Sequence, residues 1–215
     1  MRKGTRVILA LDVTEEAKAM TIAEGVNDLV AAIKVNWPLV LATSPQIVTR
    51  LSKLAPVICD FKVADIPNTD RLIAEQVARL GASGLIVQGF AGRDSVRSCV
   101  EAAKGVEVFV VTEMSHPGGA EFTAPVADGL ARIAKEEGAA GIIAPATRPE
   151  RILELRAIVG DLSILSPGVG AQGGSAAEAI RNGADFVIAG RSIYQSADPR
   201  GAAERLVEEV RRSVP

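Results

Sequence analysis

The segment Asp60-Phe61-Lys62-Val63-Ala64-Asp65-Ile66-Pro67 places two acids and a base within six residues. The preceding run, Val57–Phe61, is short and apolar and reads as a strand. Alternate residues of a strand share a face, so Val57, Cys59 and Phe61 turn one way and Ile58, Asp60 and Lys62 the other. Opposite charges aimed into an interior are costly unless they pair or act. For Asp60 and Lys62 alone, an ion pair tying a rim together is a fair reading. The neighbouring strand ends weaken it, because Val7–Leu11 runs into Asp12 and Ala31–Val35 carries Lys34. With Asp65 one turn of chain further on, the result is an alternating array of acids and bases. In such an array Lys62 can be both a cation beside a developing negative charge and a proton donor.

A second cluster suits an anion. Pro167-Gly168-Val169-Gly170-Ala171-Gln172-Gly173-Gly174 follows one strand-like run, and Ala189-Gly190-Arg191-Ser192 follows the next. Glycines let backbone N–H groups approach a phosphate closely, and a helix N-terminus adds a favourable dipole. Arg191 can offer a planar pair of donors. Gln172 can reach in from a loop that is also a candidate lid. Either run alone would be read as a tight turn; together they favour phosphate binding, with Gly170 and Gly190 in the cradle.

Other chemistry is thin. His116 is the single histidine, in a Ser-His-Pro-Gly turn that reads as structural, and a metal site built on several imidazoles is excluded. Glu113 is given only a possible structural hydrogen bond, Arg148 the part of a surface or loop anchor, and Trp37 packing at a helix start. Cys59 and Cys99 lack a CxxC partner and are expected as buried reduced thiols, which fits a cytoplasmic protein.

These residues need elements to position them. Eight strand-like runs span the chain: Val7–Leu11, Ala31–Val35, Val57–Phe61, Gly84–Val87, Glu107–Val111, Ala140–Ile143, Leu162–Leu165 and Asp185–Ile188. Helical spacing separates most of them, as in Asp70–Leu80 and Ala127–Glu137. Gly81, Gly138 and Gly183 stand where left-handed helix ends are wanted. Eight βα units predict an α/β fold, a single (β/α)8 TIM barrel over residues 1–215, with the charges at the face where barrels keep their chemistry. A doubly wound open sheet is the rival, but Leu11-Asp12-Val13-Thr14 is no glycine fingerprint. Apolar residues at 48% allow a substantial core, and aromatics at 3% suit short buried parallel strands under Ala-rich helices. A net charge of −2 without a basic run argues against a nucleic-acid partner. No apolar run approaches a membrane span, and the basic Met1-Arg2-Lys3-Gly4-Thr5-Arg6 stretch reads as no signal peptide.

The pattern Asp60-x-Lys62-x-x-Asp65 resembles the signature of the orotidine monophosphate decarboxylase suprafamily. The surrounding DFKVADIPNT is similar to the archaeal form of its orotidine decarboxylase branch. So are Leu9–Asp12, Lys34–Leu39, Thr112–Gly118, Thr147–Glu150, Ser166–Gly174 and Ala189–Tyr194. The resemblance runs nearly end to end. It implies decarboxylation of orotidine 5'-monophosphate (OMP) to UMP in pyrimidine biosynthesis, without cofactor or metal. It implies catalytic roles for Lys62, Asp60, Asp65 and Lys34, with Asp12 and Lys34 on the ribose hydroxyls. Gln172 and Arg191 would grip phosphate, and Ser115 would touch the pyrimidine and pin the closed loop. Asp65 and Thr69 would come from the partner subunit of a homodimer. The sequence departs from the family's usual pattern at Asn36, where glycine is common, and at Gln88, where histidine is usual. Magnesium-dependent sugar-phosphate relatives share the scaffold, but the resemblance gives them an acid where this chain has Lys34. A non-catalytic nucleotide-binding module would keep the glycine loops yet could dispense with Lys62 or Asp60.

Overall fold

The computed structural model describes Met1 and residues 4–214. Arg2 and Lys3 of the basic N-terminal stretch, and Pro215, lie outside the described residues. Eight parallel strands close into one barrel in chain order: β1 Val7–Ala10, β2 Ala32–Val35, β3 Val57–Val63, β4 Gly84–Gln88, β5 Glu107–Val111, β6 Gly141–Ile143, β7 Ser163–Pro167 and β8 Phe186–Ala189. Each overlaps a run expected from sequence, and β1 pairs with β8 to close the ring. The described helices are α1 Glu16–Val26, α2 Trp37–Ala42, α3 Gln46–Leu51, α4 Pro67–Arg79, α5 Arg93–Ala102, α6 Gly119–Phe122, α7 Ala127–Glu136, α8 Pro149–Val159, α9 Ala176–Arg181, α10 Arg191–Tyr194 and α11 Pro199–Arg212. Helix α4 opens at Pro67, as the sequence suggests, because proline presets the backbone of a first helical residue and needs no hydrogen-bond partner there. Gly81, Gly138 and Gly183 take positive φ after their helices, as expected.

Strand alternation divides the core in two. Val7, Leu9, Val57, Cys59, Leu85, Val87, Val108 and Val110 pack outward against the helices. Ile8, Ala10, Ala32, Ile58, Ile86, Phe109, Val111, Ile143, Leu165 and Ile188 fill the interior. Phe109 is fully buried on the barrel axis between two glycines on the flanking strands. A Cβ at Gly84 or at Gly141 would come within 3.0 Å of its ring, so these positions make the room. Burying such a ring contributes about 1.5–3 kcal/mol.

The third strand departs from simple alternation. It continues to Val63, and its pairing with β4 shifts between Cys59 and Val63. Four residue steps in β3 stand against two in β4, from Leu85 to Val87. Within this bulge Lys62 has φ +46, the only non-glycine with positive φ among the described residues. That conformation costs about 1–3 kcal/mol and persists only where surroundings impose it. Lys62 still turns inward, as strand alternation predicts, with Phe61 and Val63 on the outer face, but it does so inside a bulge, a local distortion of the ladder.

Candidate active site

The inward-facing parity of the strands extends to their C-terminal ends, where polar residues replace the apolar filling. Ile8 and Ala10 lead to Asp12, Ala32 to Lys34 and Asn36, Ile58 to Asp60, and Phe109 and Val111 to Glu113. These ends and the glycine loops enclose a cavity of about 280 Å³ at the mouth of the barrel. Asp12, Lys34, Asp60, Lys62, Ser115, Gln172, Gly190 and Arg191 all line it. Asp65 and Thr69 do not, and Gly170 lies in the loop just behind the lining.

The charges meet in one chain of contacts. Lys34 Nζ donates to Asp60 Oδ2 at 2.7 Å, and Lys62 Nζ donates to Asp60 Oδ1 at 2.8 Å. Lys34 Nζ also lies 3.9 Å from Asp12 Oδ1. Asp60 and Lys34 are buried, whereas Lys62 opens to the cavity with about a third of its side chain exposed. Burial alone would push the Asp60 carboxyl up, but the charges of Lys34 and Lys62 and their hydrogen bonds outweigh it and hold the group below 3.8. A carboxyl lowered on folding stabilises the fold above its unfolded pKa, and that contribution is lost as pH falls through the folded value. Burial, helped by the negative charge of Asp60, pushes the outward-facing Cys59 thiol up to about 12. Asp12 Oδ1 is buried with no hydrogen-bond partner among the described residues, leaving an acceptor for a ligand donor.

Both oxygens of Asp60 are occupied by ammonium groups. A dication placed there would have to displace them and sit beside Lys34 and Lys62, an arrangement opposed by like-charge repulsion.

At the opposite rim, the loop after β7 is drawn over the cavity. Ser115 Oγ donates to Gln172 Oε1 at 2.9 Å. Gly168 has φ +102, and a Cβ there would meet Thr147 at 3.0 Å and Ser115 at 3.3 Å. Gly174 packs directly on backbone, where a Cβ would sit 2.7 Å from the Gly168 carbonyl oxygen. At Gly168 and Gly174 the loop therefore packs with no room for a side chain. Gly190 precedes α10, so Arg191 stands at a helix start and lines the cavity, beside the loop after β7, whose Gly170 packs close to Ser192.

Sequence reading gave Glu113 too small a part. Its carboxylate is wholly buried, accepting from Arg148 Nε at 2.6 Å and Arg151 Nε at 3.0 Å. Arg148 also donates to the Met114 carbonyl at 2.5 Å, so it is a loop anchor as expected. Arg151 escaped notice, though its i, i+3 spacing from Arg148 was a usable signal. Trp37 opens α2, stacks on Phe61 at 4.4 Å and donates Nε1 to the Phe61 carbonyl at 3.2 Å, bracing the lysine's own strand. Asn36 caps that helix through Oδ1 on the Trp37 N–H and also lines the cavity. Gln88 is buried with Oε1 unpartnered among the described residues, its Nε2 3.8 Å from Met114 Sδ. His116 stands at the exposed rim.

The family model for orotidine 5'-phosphate decarboxylase / HUMPS matches residues 5–206. The chain belongs to that family. It is 58% identical over 213 residues to a Methanosarcina mazei protein named orotidine 5'-phosphate decarboxylase, covering 98% of this chain and 97% of the relative. A Thermococcus kodakarensis protein of the same name is 52% identical, covering 96% and 97%. Among solved structures, the Methanocaldococcus jannaschii orotidine 5'-monophosphate decarboxylase complexed with the inhibitor BMP superimposes with a TM-score of 0.92. It is 44% identical and covers 96% of this chain and 98% of that one. The family's barrel is thus shared along nearly the whole length, with the charge array and glycine loops inside the matched region.

Proposed function

We propose that this chain decarboxylates OMP to UMP and CO2, with Lys62 as the cation and proton donor. The observation that carries the reading is the Lys34–Asp60–Lys62 array at the floor of a cavity whose far rim is the Gln172–Arg191 pair of loops. The C6–carboxylate bond of the pyrimidine breaks, CO2 leaves, and the electron pair stays on C6. The Lys62 ammonium stabilises that pair, then gives C6 a proton and is itself reprotonated from solvent. Asp60 sits beside the departing carboxylate. Two like charges about 4 Å apart repel by about 4 kcal/mol at an effective dielectric near 20, about three decades of rate. Repulsion is thus a minor share, and stabilisation by Lys62 in a closed, water-poor site must carry more. Phosphate binding by Gln172 and Arg191 drives the loop closure that creates this site. The open acceptor on Asp12, with Lys34, suits the ribose hydroxyls. A direct test is the loss of OMP absorbance on adding purified protein, with hexulose and keto-gulonate phosphates plus magnesium as competing substrates. Preference for the sugar phosphates would overturn the reading.

The working unit in this reading is a cytoplasmic homodimer with shared sites. Asp65 and Thr69 project outside their own cavity. Trp37 at the start of α2, Ile66 just ahead of α4 and Phe90 just after β4 are exposed apolar side chains that follow β2, β3 and β4. Solvent rarely keeps such a patch without a partner. Subunit complementation tests this. Lys62→Ala and Asp65→Ala chains, each nearly inactive alone, should regain roughly a quarter of wild-type activity when mixed by reversible unfolding, since half the dimers would then hold one intact site. No regain on mixing would mean that Asp65 serves its own subunit.

A further inference from the structure

Asp70 is fully buried on α4, yet no Lys or Arg among the described residues pairs with it. A buried carboxyl without a cation is costly, so each of its contacts is informative. Oδ2 accepts from Ser95 Oγ on α5 at 2.5 Å. Oδ1 accepts from the backbone N–H of Asp65 at 3.0 Å. The carboxyl thus reaches back over the start of its own helix, as a capping box does, to hold the chain just ahead of it. Ser98 Oγ donates to the Pro67 carbonyl at 2.6 Å, riveting the same turn to α5 a second time. Asp65 Oδ1 in turn accepts from the Ile66 N–H at 2.7 Å. Backbone and one carboxylate oxygen of Asp65 are therefore fixed, and the side chain remains exposed.

We propose that Asp70, braced by Ser95, is a positioning residue for Asp65, setting the angle at which that carboxylate is presented to the partner's cavity. The inference rests on the shared-site reading above. It assigns the buried acid a part in the reaction, where a purely structural acid would only join two helices. A misplacement near 1 Å can cost about 100-fold in rate.

The test is a double-mutant cycle read in kcat and KM for OMP. Asp70→Ala should lower kcat roughly 10- to 100-fold with a smaller change in KM. In an Asp65→Ala background the same change should cost almost nothing further. Asp70→Asn should recover most of the activity, because its Oδ1 still accepts from the Asp65 N–H and its amide can donate to Ser95. Ser95→Ala, which removes only the brace, should give a partial loss that also vanishes without Asp65, and it serves if Asp70→Ala does not fold. Equal losses in both backgrounds would overturn the proposal and leave Asp70 a structural acid. Wild-type protein run alongside separates the two ideas, since its failure on OMP would sink the decarboxylase reading itself.

Discussion

Lys62→Ala is expected to abolish turnover of OMP, by roughly 10⁴- to 10⁷-fold, and to leave UMP binding within about tenfold of wild type. The magnitude combines two roles. Removing one positioned donor to a developing negative charge costs about 10²–10³, and removing the proton donor about 10²–10⁴. In the proposed mechanism Lys62 supplies both from a single ammonium, which lies 2.8 Å from Asp60. UMP has lost the carboxylate, so in the proposed reading its affinity rests on ribose and phosphate contacts at the cavity-lining Asp12, Gln172 and Arg191. The fold should tolerate the change. Asp60 keeps Lys34 at 2.7 Å, so the loss stays below the 3–5 kcal/mol typical of stranding a buried charge, and alanine relieves none of the φ +46 strain. Initial rates and UMP titration by calorimetry read the two halves separately. Surviving turnover would assign the proton to another group.

Arg191→Ala is expected to lower kcat/KM for OMP by roughly 10²–10⁴-fold, since a bidentate charged contact contributes about 3–5 kcal/mol. The diagnostic comparison uses orotidine, which lacks the phosphate. Wild-type protein should handle orotidine poorly, and Arg191→Ala should handle it no worse. Arg191→Lys should recover only part of the loss, because an ammonium cannot reproduce the planar fork. A mutation that slowed both substrates equally would mean that Arg191 supports the barrel rim and not the phosphate.

The strand count, the barrel and the inward parity of Asp60 and Lys62 were legible because alternation with period two leaves no other face for them, and Asp12 and Lys34 were legible from their places at neighbouring strand ends. What escaped reading arose from non-local packing. Alternation puts Lys62 on the inward face, but the bulge and the φ +46 at which it sits depend on the register against β4, and nothing in Asp60-Phe61-Lys62 announces them. Glu113 lies on the same inward parity as Phe109 and Val111 and could have been found that way, but its partners Arg148, just ahead of α8, and Arg151, in its first turn, come more than 30 residues later. Asp70 reads on the sequence as one more helical acid. Only the packing of α4 on α5 buries it and turns it toward Asp65.

The most direct test of the central claim is the turnover of OMP by protein dialysed exhaustively against EDTA, compared with the same protein after magnesium is restored. A lysine-centred, metal-free decarboxylation predicts equal and rapid conversion to UMP in both. Activity lost on chelation and regained with magnesium would contradict it, and would require a dication among the charges assigned here to Lys34, Asp60 and Lys62.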